Sequence, residues 1–204
     1  MEKRNLLLVI SGPSGAGKGT ICQALLRRHP ASMACSISAT SRDVRPGEVP
    51  NQSYYYIGKE EFEERLSRYE FLEYAHVYGN YYGTLKKEVE RLFEDRMDVI
   101  LEIEMQGALQ IKAKAQDAIL IFIMPPSFKE LTKRIKERKR DSEEDIAMRL
   151  QKVRDELKYM TMYDYIVVND TVDRAVEKIE AIIIAEKCKF DSKRLDIEGF
   201  LRDI

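Results

Sequence analysis

The stretch Gly12-Pro13-Ser14-Gly15-Ala16-Gly17-Lys18-Gly19-Thr20 constrains this chain more than any other. It follows Leu6-Leu7-Leu8-Val9-Ile10, an apolar run with the length of a buried strand. It leads into Ile21-Cys22-Gln23-Ala24-Leu25-Leu26, whose apolar residues recur at helical spacing. Strand, glycine loop, lysine and helix in that order make a phosphate-binding P-loop. Glycines let the backbone curl around an anion so that several N–H groups point inward, at the positive end of the helix dipole. Lys18 adds a mobile point charge for the outer phosphates of a nucleotide. With ordinary residue usage, G-x-x-x-x-G-K arises by chance on the order of 0.05 times in a chain this long, so a chance turn is the weaker reading. The full motif has Ser or Thr after the lysine, where a hydroxyl helps hold Mg²⁺. Here Gly19 takes that place and Thr20 follows, which leaves the protein ligand of the metal open.

A length of 204 residues suits one globular unit with a sizeable core. Hydrophobic content of 44% and charged content of 34% are those of a soluble, folded protein. The net charge of −1, from 34 basic and 35 acidic residues, argues neither for nor against a nucleic-acid partner, and any anion site must be local. Cys22, Cys35 and Cys188 are scattered with no C-x-x-C pair, which fits reduced thiols in a cytoplasmic protein. The apolar run before Ser11 is too short for the centre of a signal peptide. The longest apolar run, 118–124, is far below a membrane span, so no membrane partner is expected.

Strand-like runs at 6–10, 34–38, 97–103, 118–124 and 164–168 alternate with helical patterns at 17–29, 85–94, 105–115, 127–138, 143–160 and 171–187. The strands are near-continuous apolar runs, as in a parallel sheet covered on both faces, so the class is α/β. Two stretches break the alternation. Residues 40–83, with Arg-Pro-Gly, Tyr-Tyr-Tyr and Gly-Asn-Tyr-Tyr-Gly and alternating segments around 53–57 and 71–78, read as a small β-rich insertion. Residues 126–157 are highly charged and helical, interrupted near Arg140-Asp141. The tail 188–204 suits either a docked last helix or a loose end.

The insertion carries Arg42 and Arg45, three apart, beside Ser38, Thr40 and Ser41. Two guanidinium forks with hydroxyls nearby suit a monoester phosphate, although a solvated turn with ordinary surface arginines has the same look. Tyr54 and Tyr82 can reach such a phosphate through their hydroxyls, or simply pack a small β-layer. Glu73 is an acid within the apolar alternation Phe71-Leu72-Glu73-Tyr74-Ala75. A half-buried carboxylate needs donors, and a guanine edge offers two adjacent ones, N1–H and the 2-amino group. In the charged segment, Arg134 and Arg138 are one helical turn apart. Ser142-Glu143-Glu144-Asp145 reads as a capping box that restarts a helix bearing Arg149 and Arg154. Arginines aimed inward from such a helix pair suit a lid that stabilises charge on a transferring phosphoryl group. A solvated face or a basic nucleic-acid patch is the competing reading, and the acids at 141–145 argue against the patch.

Taken in order, these motifs resemble the guanylate kinase family from about Leu6 to Lys187. They are Ser11 to Lys18, then Arg42-x-x-Arg45-x-Gly47-Glu48, then Gly79-Asn80-Tyr81-Tyr82-Gly83-Thr84. Leu101-Glu102-Ile103-Glu104-Met105-Gln106-Gly107-Ala108, the lid arginines and Val168-Asn169-Asp170 follow. The resemblance implies a P-loop three-layer core at 1–38, 89–125 and 158–204, a GMP-binding region at 39–88 and a lid at 126–157. It implies phosphoryl transfer from ATP to GMP, with dGMP as a possible second acceptor, and Mg²⁺ accompanying ATP. By position, Gly12, Pro13, Ser14, Gly15, Ala16, Gly17, Lys18, Gly19 and Thr20 would hold ATP phosphates, and Asn169 would meet the adenine. Arg42, Arg45, Tyr54 and Tyr82 would hold the GMP phosphate, while Ser38, Glu73 and Thr84 would read guanine. Glu104 would belong to an acidic pair near GMP and Mg²⁺. Lys18, Arg42, Arg134, Arg138 and Arg149 would act on the transferring group. Ser53 and Lys139 depart from the family pattern, where Asp often precedes the tyrosine and a lid glycine is common. Two other readings stay open: a kinase for another nucleoside monophosphate, and a non-catalytic binding module on the same fold. The sequence does not fix the oligomeric state.

Overall fold

A computed structural model describes residues 5–77, 79–137 and 143–189, without the side chains at 143–145, 149 and 152. Its larger sheet is built from β1 (Leu7–Ser11), β2 (Met33–Cys35), β7 (Asp98–Glu102), β8 (Ile119–Met124) and β9 (Tyr165–Val168). The order is β2-β7-β1-β8-β9, all parallel, with Val9 opposite both Leu101 and Leu120. Side chains alternate across a strand, so apolar runs create two cores, one on each face. Leu8, Ile10, Ile100 and Ile121 pack with α1 (Lys18–Arg28) and α7 (Val172–Lys187). Val9, Leu101, Leu120 and Phe122 pack with α3 (Lys86–Glu94) and α4 (Met105–Lys114). The fold is thus the expected three-layer α/β core, with its strands ending on one cleft.

A second sheet, ordered β4-β3-β6-β5, stands beside that cleft. Its strands are β3 (Ala39–Thr40), β4 (Tyr55–Tyr56), β5 (Phe71–Val77) and β6 (Asn80–Leu85), with α2 (Gly58–Ser67) on one face. The expected strand 34–38 is corrected here. The larger sheet keeps only Met33–Cys35, and the chain crosses to the smaller sheet at Ala39. Helix α2 is an addition to the sequence reading. It buries a single residue, Phe62, so it shows no apolar period. The Phe62 ring stacks on Phe71 with centroids 4.3 Å apart and on Tyr81 at 5.1 Å. Edge strand β5 is tied to α4: Gln110 donates to Tyr74 O and accepts from Tyr74 N–H, and Lys114 donates to Leu72 O. Those bonds cover part of an otherwise open edge.

Helices α5 (Phe128–Glu137) and α6 (Glu143–Leu157) pack through Leu131, Ile135 and Val153. The sequence period to residue 160 ends at Leu157, and a separate 3₁₀ turn follows at Met160–Met162. Ser142 of the expected capping box and the tail from residue 190 lie outside the described residues.

The small sheet has a core of few residues, and Phe62 is fully buried at its centre. Phe62→Ala is expected to cost about 3–5 kcal/mol in urea unfolding. The ATP binding that the sequence resemblance implies for the P-loop side of the cleft should survive under conditions where the mutant stays folded.

Candidate active site

The turn after β1 is held open by bonds on its outer side. Gly12, Gly15 and Gly17 all take positive φ, at +140°, +86° and +93°. Ala16 N–H donates to Pro13 O at 3.1 Å, and the Lys18 ammonium folds back to donate to Gly12 O at 2.5 Å. The Asn169 amide, at the end of β9, donates to Ala16 O at 2.7 Å. A Cβ at Gly17 would collide with that same amide nitrogen, so the position needs glycine for both its φ and its neighbour. From the other side, Leu131 and Ile135 of α5 approach Gly15 so closely that a Cβ there would lie 3.1 Å from each.

Two cavities meet at this loop. One, of about 520 Å³, is lined by Gly15, Gly17, Thr20, Arg134, Asn169 and Asp170 among others. Arg134 is held there by Glu130 at 3.0 Å, with a longer bond of 3.4 Å to Asn169 O. The other, of about 430 Å³, is lined by Lys18, Ser38, Arg42, Arg45, Tyr54, Glu73, Tyr82, Glu102 and Glu104. The P-loop therefore divides its residues between two spaces, with Lys18 on the second.

In the second cavity, polar groups gather at two ends. Arg42, only 9% exposed, donates from its Nε to Tyr82 Oη at 3.2 Å and lies 5.0 Å over the Tyr54 ring. Its fork is engaged by Glu48, at 2.7 and 2.6 Å. The Arg42 guanidinium holds the Glu48 carboxyl down at about 2, helped by Arg45 N–H and the Tyr56 hydroxyl. Away from this group, Glu73 is 3% exposed and accepts a bond from Thr84 Oγ1 at 2.7 Å. Burial pushes its carboxyl up to about 7, and the Thr84 bonds oppose that shift without cancelling it. The Glu73 carboxylate lies so close to α4 that a Cβ on Gly107 would stand 2.8 Å from its Cδ.

Glu102 ends β7 facing the cleft, with Glu104 two residues on as the N-cap of α4. Burial of Glu102 on its protein side raises its pKa, and Lys18 pulls it back. A Cβ at Gly19 would lie 3.3 Å from its Oε1, so the carboxylate occupies the neighbourhood where a serine or threonine side chain would begin.

The family model for guanylate kinase matches residues 4–186. The chain belongs to the guanylate kinase family. It is 52% identical over 190 residues to a guanylate kinase of Clostridium perfringens (strain 13 / Type A), covering 93% of this chain and 88% of that one. It is also 52% identical over 207 residues to a guanylate kinase of Clostridium tetani (strain Massachusetts / E88), covering 100% and 98% of the two chains. The crystal structure of guanylate kinase from Anaplasma phagocytophilum superimposes with a TM-score of 0.78 at 28% identity. That match covers 100% of this chain and 96% of that structure.

Of the residues singled out in the sequence, Lys18, Ser38, Arg42, Arg45, Tyr54, Glu73, Tyr82 and Glu104 line one cavity, and Thr84 bonds to Glu73. Thr20, Arg134 and Asn169 line the other. Asn169 also secures the P-loop, a job the motif alone does not announce. Arg138 and the Arg149 side chain lie outside the described residues. The expected pair of open arginine forks is altered, since Glu48 takes the fork of Arg42. Glu102 lines the second cavity beside Glu104, Tyr56 bonds to Glu48 and Gly107 abuts Glu73, three residues to which the sequence expectation gave no individual role. Glu102 had a visible signal, a carboxylate closing an apolar strand; the close approach at Gly107 had none.

Gly107→Ala should lower stability by about 1–3 kcal/mol in urea unfolding, because the Glu73 side chain must yield. Adding Glu73→Ala should recover part of that loss, which a double-mutant cycle reads directly.

Proposed function

We propose that the two cavities are the donor and acceptor sites of one in-line phosphoryl transfer, with Lys18 between them. The chain is an enzyme of the guanylate kinase family and transfers a phosphoryl group from ATP to GMP. The observation that carries the residue assignment is the division of the P-loop. Gly15, Gly17 and Thr20 border one cavity, while Lys18 borders the other with Arg42, Arg45 and Glu73.

In this reading the loop amides and Lys18 hold the ATP phosphates, and the adenine rests near Asn169. Arg42, Arg45, Tyr54 and Tyr82 receive the GMP phosphate. Glu73 accepts from guanine N1–H and the 2-amino group, while Ser38 and Thr84 offer hydroxyls. The 39–88 and 126–157 segments act as acceptor-binding region and lid around the remaining core. Such transfer needs little covalent work: the protein aligns two anions and offsets their repulsion. Arg134, with Arg138 and Arg149, adds positive charge from the lid. Closure keeps water from competing as acceptor.

The site fits Mg²⁺. The ion commonly takes one or two carboxylates and otherwise binds waters and substrate phosphates. Glu102 lies against Gly19, where the usual P-loop hydroxyl is missing, and Glu104 lines the same cavity. Glu102 would hold the ion, with Glu104 and Thr20 as neighbouring oxygens. Bound Mg²⁺ supplies charge that neutralises the ATP phosphates. The free thiols of Cys22, Cys35 and Cys188 fit a cytoplasmic setting, where such an enzyme would serve purine nucleotide metabolism by recycling GMP.

The test is turnover with Mg-ATP and each of GMP, AMP, CMP and UMP, for the parent enzyme and Glu73→Gln. GMP should be strongly preferred by the parent, and the variant should lose most of that preference, by as much as about 10⁴. An unchanged preference ratio would remove Glu73 from base reading.

A pH profile gives a second check. Guanine donors need Glu73 ionised, yet its carboxyl sits at about 7 in the free protein. Below that pH, GMP must expel a proton, so KM for GMP should rise by about tenfold per pH unit, and it should level off above. In the parent-to-Glu73→Gln ratio the titration of the GMP phosphate cancels, leaving the carboxyl.

A further inference from the structure

The Arg42 guanidinium is engaged by its own chain. Its Nε–H goes to Tyr82 Oη; one terminal nitrogen donates to Asp43 O and Glu48 Oε2; the other donates to Glu48 Oε1. Arginine has five N–H donors, so a single one, on Nη2, stays uncommitted. Glu48 is equally occupied. It accepts from both ends of the Arg42 fork, from Arg45 N–H at 2.9 Å and from Tyr56 Oη at 2.7 Å. Three of these four bonds converge on Oε2 and one reaches Oε1, so Oε2 is saturated and Oε1 keeps a single acceptor position. The Arg45 side chain, by contrast, lines the cavity and makes no ion pair or side-chain hydrogen bond among the described residues.

Two roles for Glu48 follow from these contacts, with opposite signs. A carboxylate held by Arg42 alone would be an internal stand-in for the ligand, and an incoming phosphate would displace it. Glu48 is held otherwise. Arg45 N–H and Tyr56 Oη keep it in place whatever Arg42 does, and Arg42 keeps Asp43 O and Tyr82 Oη in any case. The pair is therefore fixed geometry, whose ordering has been completed before a ligand arrives.

We propose that Glu48 is a positioning residue for the acceptor phosphate, fixing Arg42 as a rigid one-donor wall and leaving Arg45 as the fork that closes on the phosphate. This rests on the reading of the second cavity as the GMP site. It assigns unequal work to two arginines that look equivalent in the sequence. Arg42 contributes charge and one fixed direction, while Arg45 contributes the planar bidentate contact that lysine does not reproduce.

The experiment is steady-state kinetics on the full chain for Glu48→Gln, Tyr56→Phe and Arg45→Lys. Guanosine, measured as an inhibitor competitive with GMP, serves as the phosphate-free probe. Glu48→Gln should raise KM for GMP by about tenfold, with KM for ATP and the guanosine inhibition constant held within about twofold. Tyr56→Phe should move the same quantity in the same direction by about threefold, and it covers the case in which Glu48→Gln fails to fold. Arg45→Lys should raise KM for GMP and leave guanosine unaffected.

If Arg45→Lys weakens GMP while neither Glu48→Gln nor Tyr56→Phe does, the positioning role is overturned and the phosphate site stands. Tighter GMP binding by Glu48→Gln overturns the proposal in favour of a competing carboxylate. Equal weakening of GMP and guanosine overturns it in favour of a purely structural role. If Arg45→Lys leaves GMP unchanged, the phosphate-site reading falls and the proposal falls with it.

Discussion

A loop that binds phosphate must keep its amides pointed at empty space when nothing is bound, and the rest of this structure depends on how that is achieved. Unsatisfied backbone donors are costly, and a free glycine-rich segment would collapse to pair them. Here the outer side of the loop is pinned instead. Ala16 O receives the Asn169 amide, Gly12 O receives the Lys18 ammonium, and Leu131 and Ile135 press on Gly15. The second comes from α1, which continues the loop directly, while the others come from β9's end and from α5, both distant in sequence. The parallel sheet brings them together because β1 lies centrally, with β8 beside it and β9 one strand further.

The cleft also shows how the same residue type is tuned in opposite directions within one small region. Glu48 is surrounded by donors, four hydrogen bonds in all, and its carboxyl sits at about 2. Glu73 has Thr84 and apolar surroundings, and its carboxyl sits at about 7. The first is an anion whose partners are already present; the second has mainly the Thr84 bonds to set against burial. That burial has a cost. An unfolded glutamate loses its proton near 4.5, while the folded Glu73 holds it to about 7. Stability from this group therefore falls as pH rises between those values, because the folded state binds more protons there.

Much of this was legible in the chain. The glycine loop between an apolar run and a helical pattern announced the P-loop, and near-continuous apolar strands announced a sheet covered on both faces. Glu73 stood out as an acid in an apolar alternation, and the structure finds it buried. What escaped was set by contacts distant in sequence. Helix α2 buries only Phe62, so periodicity had nothing to detect. The strand at 34–38 read as one run, yet it ends at Cys35 and the chain joins the second sheet only at Ala39, which pairs with Gly83 and Tyr55. The Arg42–Glu48 fork joins two residues of one motif, but spacing does not say that a carboxylate occupies the arginine.

Helix α5 and the glycine loop are coupled by packing as well as by hydrogen bonding. Helix α5 turns Leu131 and Ile135 toward Gly15 and sends Arg134 into the neighbouring cavity, where it meets the carbonyl of Asn169. Asn169 in turn holds Ala16. A shift of α5 that moved Arg134 would therefore also press on or release the glycine loop. A close-packed contact of this kind transmits displacement because neither side can compress. Loop shape and arginine position are thus two readings of one helix placement, and a nucleotide that favours one favours the other.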